Sequence, residues 1–218
     1  MLILTAFIWG TAFVAQSMGM DYLEPITFNG VRSLIGGAAL IPCIWLLGKW
    51  KENQKEDVSV NRKDLVTGGV LCGLLLFGAS SLQQMGIQYK AGFITAFYIV
   101  IVPVLGIFLK KKTGWKVWMA VVLAVVGLYF LCMTESFHMS KGDLLIFLCA
   151  LIFSVHILVI DHFAPKVDGV KMACIQFFVC GIVSLPFMFL LEKPSLGGML
   201  EGWFPLLYAG VLSCGVAY

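Results

Sequence analysis

The sequence predicts an all-α protein that crosses a lipid bilayer about eight times. Two observations predict it. Ala, Val, Ile, Leu, Met, Phe, Trp, Tyr and Cys supply 60% of the 218 residues and only 12% are charged, where an ordinary globular domain is about a quarter charged; the mean hydropathy is +0.95. A chain of this length cannot hide so much apolar surface in a water-soluble fold, and disorder is ruled out by the same composition. The charges, moreover, divide the chain into apolar blocks of about 20 residues, the length that spans a bilayer as a helix. The blocks are near-continuous runs without the alternation of transmembrane strands, and lipid gives an open backbone no partner, so helices are expected and a β-barrel is not. A net charge of +3 is too small to indicate nucleic-acid binding.

The expected spans are 2–19, 27–47, 65–88, 91–109, 115–133, 144–163, 170–191 and 203–218. The first ends where Asp21, Glu24 and the helix-stopping Pro25 make a short acidic connection. The second is followed by Lys49, Lys51, Glu52, Lys55, Glu56, Asp57, Arg62, Lys63 and Asp64, read as a solvated loop. Span 3 carries Gly69 and Gly73 in a GxxxG spacing, read as a packing surface. Span 4 contains Pro103, which frees a carbonyl at midspan, and stops at Lys110-Lys111-Lys112. Seven cysteines fall within the spans with no CxxC or Cys/His spacing, so neither a disulfide framework nor a zinc site is expected, and they read as small apolar filler.

Orientation follows from the basic residues. The connections 48–64, 110–116 and 162–171 hold eleven Lys and Arg, against three in the connections on the opposite side, and Arg32 alone lies within a span. The positive-inside rule then places the N terminus in the cytoplasm. Met1 opens directly on an apolar run without a basic n-region, unlike a signal peptide.

A shift of 144 residues aligns spans 1 and 2 with spans 6 and 7 without a gap, setting Pro42 on Pro186, Gly37 on Gly181 and Leu46-Leu47 on Leu190-Leu191. Identity over 2–48 is only seven matches, so the signal lies in span lengths and prolines. Its period is five spans, and an odd period inverts the second unit, the arrangement many secondary transporters use to build a site at the midplane.

Three stretches, Thr5-Ala6-Phe7-Ile8-Trp9-Gly10-Thr11-Ala12-Phe13, Thr27-Phe28-Asn29-Gly30-Val31-Arg32, and Ala91-Gly92-Phe93-Ile94-Thr95 with Val102-Pro103 beyond it, resemble the EamA-type members of the drug/metabolite transporter superfamily. The resemblance covers almost the whole chain. It implies ten helices in two inverted five-helix repeats that move small metabolites or amino acids, often outward. It places the first repeat at 1–133 and a C-terminally truncated second repeat at 143–218, so about eight of ten spans are present and the chain is expected to be part of a longer protein. Two departures stand out: Lys110-Lys111-Lys112 occupies the place of a glutamate common in the family, and the connection between spans 3 and 4 is short.

Polar side chains inside spans are costly and usually face the bundle interior or a wet cavity, so they are the candidates for a substrate pathway. Thr5, Trp9, Phe13 and Gln16 share one face of span 1. Asn29 and Ser33 share a face of span 2, where Arg32 has two readings: it snorkels or makes a structural pair, the commoner fate, or it faces the cavity and binds a carboxylate bidentately. Its repeat mate is Gln176. Ser80, Gln84 and Gln88 form a stripe on span 3, Thr95 and Tyr98 share a face of span 4, and His156 is the ionisable residue near the middle of span 6. No Asp or Glu occupies a midplane, which weighs against proton antiport through a central carboxylate.

The expected pathway is therefore Trp9, Gln16, Asn29, Arg32, Gln84, Thr95, Tyr98, His156 and Gln176, in a multi-pass plasma-membrane transporter working by alternating access on metabolites, amino acids or drug-like solutes. Its expected partners are a small-molecule solute, the bilayer and, in a homodimer, a second copy; no cofactor, metal or nucleic acid is expected. A membrane-embedded enzyme is disfavoured, since no HExxH or paired intramembrane aspartates occur and Ser154 and His156 point to different helix faces. The alternative kept open is a non-transporting interaction or regulatory subunit.

Overall fold

The computed structural model describes residues 2–54, 61–88, 98–108, 114–132 and 141–217, and among these every regular element is helical. The helices are α1 (Leu2–Gly19), α2 (Pro25–Gln54), α3 (Arg62–Gln88), α4 (Tyr98–Phe108), α5 (Trp115–Cys132), α6 (Lys141–Phe163), α7 (Gly169–Leu191), α8 (Leu196–Glu201) and α9 (Trp203–Leu207), the last continuing into a π-helical segment, Tyr208–Val216. Each expected span has its helix. Residues 25–46, 62–87, 144–163 and 169–191 are long and apolar enough to cross a membrane, and four shorter apolar helices accompany them.

Two details differ from the sequence reading. The solvated loop begins later than 48, because α2 runs through Lys49, Lys51 and Glu52 to Gln54; Lys, Glu and Gln are good helix formers and extend a helix already nucleated in the membrane. A short α8 also stands in the connection 192–202, where Ser195 caps it by accepting from Gly198 N at 3.3 Å. Its sequence, LGGMLE, is too short and glycine-rich to signal a helix. The 91–95 motif, with Thr95, and Lys110-Lys111-Lys112 lie outside the described residues.

The bundle is apolar outside and small or polar inside, as a helix assembly in lipid requires. Trp45, Trp115, Leu123, Phe130, Phe189 and Leu190 are exposed, whereas Ala12, Ser33, Cys72, Ala79, Ser154, Cys180 and Ser184 are buried. The buried hydroxyls are satisfied by their own helices: Ser33 donates to Asn29 O, Ser154 to Ala150 O and Ser184 to Cys180 O, each at 2.7 Å. Helix α2 packs along α7, α3 against both α6 and α7, the π segment against α1 and α2, and α4 against α5 and α6.

Helices α2 and α7 run antiparallel, and their contact depends on glycine. A Cβ on Gly181 would lie 2.6 Å from Leu34 Cγ, and one on Gly37 3.1 Å from the Phe178 ring. Gly73 of α3 likewise accepts Val179 and the Gln176 carbonyl, and Gly69 accepts Ile175, so the GxxxG pair is a packing surface against α7.

The connections after α1 and after α7 meet at one end of the bundle. Pro25 has no N–H, so the first turn of α2 offers the amides of Ile26 and Thr27 as unbonded donors. Both donate to Glu192, to Oε1 and Oε2 respectively at 2.7 Å, and Thr27 Oγ1 also donates to Oε2 at 2.7 Å. In return Lys193 N donates to Glu24 Oε2 at 3.3 Å. The C-terminal end of α7 thus caps the start of α2, with a carboxylate at the positive end of a helix dipole.

Candidate functional site

Between these helices lies a cavity of about 380 Å³, within the size range of small-molecule sites, roughly 300–1,000 Å³. Helix α1 contributes Trp9, Ala12, Phe13 and Gln16, one face at helical spacing. Helix α6 contributes Phe153, His156, Ile157 and Ile160, which are the α1 positions displaced one by one by 144 residues. Asn29, Arg32 and Ser33 come from α2, Leu76, Ser80 and Gln83 from α3, Tyr98 from α4 and Phe177 from α7. The end of the chain closes one wall with Ser213, Cys214 and Ala217. The walls are mostly apolar and aromatic, with the Phe153 ring 6.4 Å from Tyr98 and 6.1 Å from the His156 imidazole.

Arg32 is the one Lys, Arg, Asp or Glu among these lining residues. It sits seven residues into α2, about 10 Å along the helix from its start, and is only 7% exposed. Its Nε and Nη2 donate to Asn29 Oδ1 at 3.2 and 3.1 Å, and its guanidinium carbon lies 5.8 Å from the centre of the Phe28 ring. Asn29 is held in register by its Nδ2, which donates to Ser81 Oγ at 3.2 Å. The side chain therefore turns inward and makes a structural pair instead of snorkelling to the interface. Among the described residues no carboxylate pairs with it.

The amides and the imidazole sort into two layers. Gln16 lines the cavity; its Nε2 donates to Ala12 O at 3.2 Å, while its buried Oε1 has no hydrogen-bond partner. Such an acceptor costs about 1–3 kcal/mol when left unmade. Gln84 stands behind the wall: it is fully buried, donates to Gln16 O at 3.2 Å and leaves its own Oε1 without a partner. His156 reaches the cavity, and Gln176 stands behind it, its Oε1 3.2 Å from His156 Nε2.

Of the nine expected pathway residues, the cavity gathers Trp9, Gln16, Asn29, Arg32, Tyr98 and His156. Gln84 and Gln176 support the wall from behind, and Thr95 lies outside the described residues. The expected list omitted Gln83, Phe153, Phe177 and Ser213. Gln83 stands three residues after Ser80, so the spacing Ser80–Gln83 competes with Ser80–Gln84 for the same helix face, and the 144-residue shift that pairs Trp9 with Phe153 is the sequence signal for the latter. Among the described residues no three His, Cys, Asp or Glu side chains converge on a point that could hold a metal ion.

Comparison with known proteins agrees with this architecture. The model of the EamA-like transporter family matches residues 1–133 and 140–218. An "Uncharacterized transporter" of Archaeoglobus fulgidus is 32% identical over 191 residues, covering 85% of this chain and 56% of that protein. The "Uncharacterized transporter YoaV" of Bacillus subtilis is 23% identical over 227 residues, covering all of this chain and 75% of that protein. The chain thus spans little more than half the length of the first of these relatives. A solved structure titled only "Crystal structure of protein" matches with a TM-score of 0.63 at 19% identity, over 98% of this chain and 76% of that one, a likeness of fold.

Proposed function

The chain belongs to the EamA-like transporter family, a multi-pass membrane family, and from that membership we propose that the full protein exports or exchanges metabolite-sized solutes by alternating access through the cavity described above. The observation that carries the proposal is the cavity itself: about 380 Å³ with mostly apolar and aromatic walls that also carry polar groups from several apolar helices, in a bundle whose outer surface is apolar. Polar groups within membrane-spanning helices are expensive, and they serve a wet pathway or a ligand.

The two-repeat organisation, residues 1–133 and 143–218, is part of the same reading. Three facts support it: the α1 and α6 cavity positions related by 144, the antiparallel α2–α7 contact, and the exchange of partners in which α3 meets α6 and α7 as the π segment meets α1 and α2. In this arrangement the cavity lies on the boundary between repeats, α2 and α7 cross at its centre, and the other helices rock about them. The excess of basic residues in the connections 48–64, 110–116 and 162–171 supports a cytoplasmic N terminus, and the location proposed with it is the plasma membrane. No step of covalent chemistry is assigned to any residue.

The test is flux. The full-length protein, reconstituted in proteoliposomes and presented with a panel of solutes chosen from metabolites that accumulate in a deletion strain, should move at least one of them down its gradient. Trp9→Ala and Phe153→Ala, which remove cavity walls, should lower that flux several-fold, while the lipid-facing Trp115→Ala should not. Absence of flux for every accumulating metabolite, or equal flux in all three variants, sinks the proposal.

A further inference from the structure

We propose that the cavity selects solutes that carry a single carboxylate on an apolar body, with Arg32 holding the carboxylate; the inference rests on the transport reading and names the substrate class of the same site. The first support is the charge of the wall. Arg32 is 93% buried and lines the cavity; its guanidinium donates to one amide oxygen and lies against one aromatic ring, and among the described residues no carboxylate pairs with it. A buried cation without a counter-ion is costly, and proteins retain one where an anion arrives to pair with it.

The geometry agrees with a carboxylate. Nε and Nη2 are engaged on Asn29 Oδ1, which fixes the plane of the guanidinium and leaves Nη1 and the second hydrogen of Nη2 to donate to an incoming anion. The fork of donors suits two oxygens on one carbon. Ser33 and Ser80 line the same cavity but donate their hydroxyls to Asn29 O and Leu76 O, so the guanidinium supplies the charged donors that a carboxylate meets on this wall.

The charge also excludes other classes. Among the described residues no Asp or Glu lines the cavity, so a cationic amine would enter a positive, low-dielectric site without a counter-charge. A phosphate dianion would be compensated only by half and would bury the remainder. A monoanion leaves the filled site neutral. The rest of the wall, Trp9, Phe13, Phe153 and Phe177, offers apolar and aromatic surface for the body of such a solute.

Three isosteric probes separate the classes: 3-phenylpropanoate, 3-phenylpropan-1-ol and 3-phenylpropan-1-amine. Binding is read by calorimetry, and by tryptophan fluorescence, on the full-length protein in nanodiscs. The carboxylate is expected to bind on the order of tenfold tighter than the alcohol, the least that a charge-assisted hydrogen bond contributes, and the amine weakest of the three. Arg32→Gln should bring the carboxylate down to the level of the alcohol, and Arg32→Lys should recover part of the difference. Should Arg32→Gln fail to fold, the order of the three probes on the unaltered protein still decides. Equal binding of carboxylate and alcohol, tighter binding of the amine, no carboxylate binding at millimolar concentration, or a carboxylate preference that survives Arg32→Gln each overturns the assignment. The two readings fail separately: flux of a neutral or cationic solute without charge preference leaves transport standing and removes the carboxylate site, whereas charge-selective binding without flux leaves the site standing and removes transport.

Discussion

Replacing Glu192 should loosen the junction between α7 and α2 by a predictable amount. Its carboxylate accepts from Ile26 N, Thr27 N and Thr27 Oγ1, all at 2.7 Å, the short distance typical of a charged acceptor. A hydrogen bond to a charged group contributes about 1.5–3 kcal/mol net, and a negative charge at a helix N-terminus about 0.3–1 kcal/mol. The three bonds share one acceptor group and are not additive; Glu192 is half-buried, so water replaces part of what is lost. Glu192→Ala is therefore expected to destabilise the protein by about 2–4 kcal/mol. Glu192→Gln keeps one acceptor oxygen and loses the charge, and should cost roughly half as much. The assay is reversible unfolding of the full-length protein in mixed micelles, with Thr27→Val and the double variant completing a cycle. A cost for Glu192→Ala below about 0.5 kcal/mol, the level of an ordinary surface change, would refute the capping account, and so would a Gln variant as damaging as the Ala variant.

Gly73→Ala should cost about 1–3 kcal/mol in the same assay, the range for overpacking, because its Cβ would lie 2.6 Å from Val179 Cβ and 2.8 Å from the rigid Gln176 carbonyl. Gly127→Ala, in the middle of α5 with nothing within 4 Å of the new Cβ, should instead gain about 0.5–1 kcal/mol through helix propensity. His156→Phe should leave Gln176 Oε1 buried without its 3.2 Å partner and cost about 1–3 kcal/mol. The double variant with Gln176→Leu should cost less than the sum of the two single changes, and additive costs would show that the pair is not coupled.

Much of the fold is legible in the sequence because lipid makes span length and apolarity nearly sufficient conditions for a helix. Helices α5, α6 and α7 begin within three residues of the expected positions. The π segment is not legible: nothing in YAGVLSCGV sets it apart from an α-helix, and the close packing of Gly210 on α2, where an added Cβ would lie 2.7 Å from Ile35 Cγ2, is a long-range contact that no local pattern announces. The site is half legible. On α1 the polar and aromatic positions 9, 13 and 16 fall on one face, so periodicity alone selects the wall. On α3 both Ser80–Gln83 and Ser80–Gln84 are helical spacings, and only the neighbouring helices decide that Gln83 meets the cavity while Gln84 meets α1. Phe153 and Phe177 look no different in sequence from the many aromatic side chains that face lipid. Arg32 shows the same limit: its depth is evident from its place in span 2, but its direction depends on Asn29 and Phe28, whose positions come from packing.

The α2–α7 crossing places Leu34 on Gly181 and Phe178 on Gly37, and Leu34 and Phe178, like the two glycines, stand 144 positions apart. Each helix presents one notch and one knob to the other, so the surface is complementary to itself under a half-turn. Two separate copies of a half-length chain, inserted in opposite senses, could meet through such a surface without any linker. In the two-repeat organisation proposed above, joining the halves in one polypeptide releases them from being identical: the knob is leucine on one side and phenylalanine on the other, and the residue 144 positions after Arg32 is the uncharged Gln176. On that proposal, two identical halves would carry two such charges or none, and the covalent link is what permits a cavity whose described lining holds a single guanidinium.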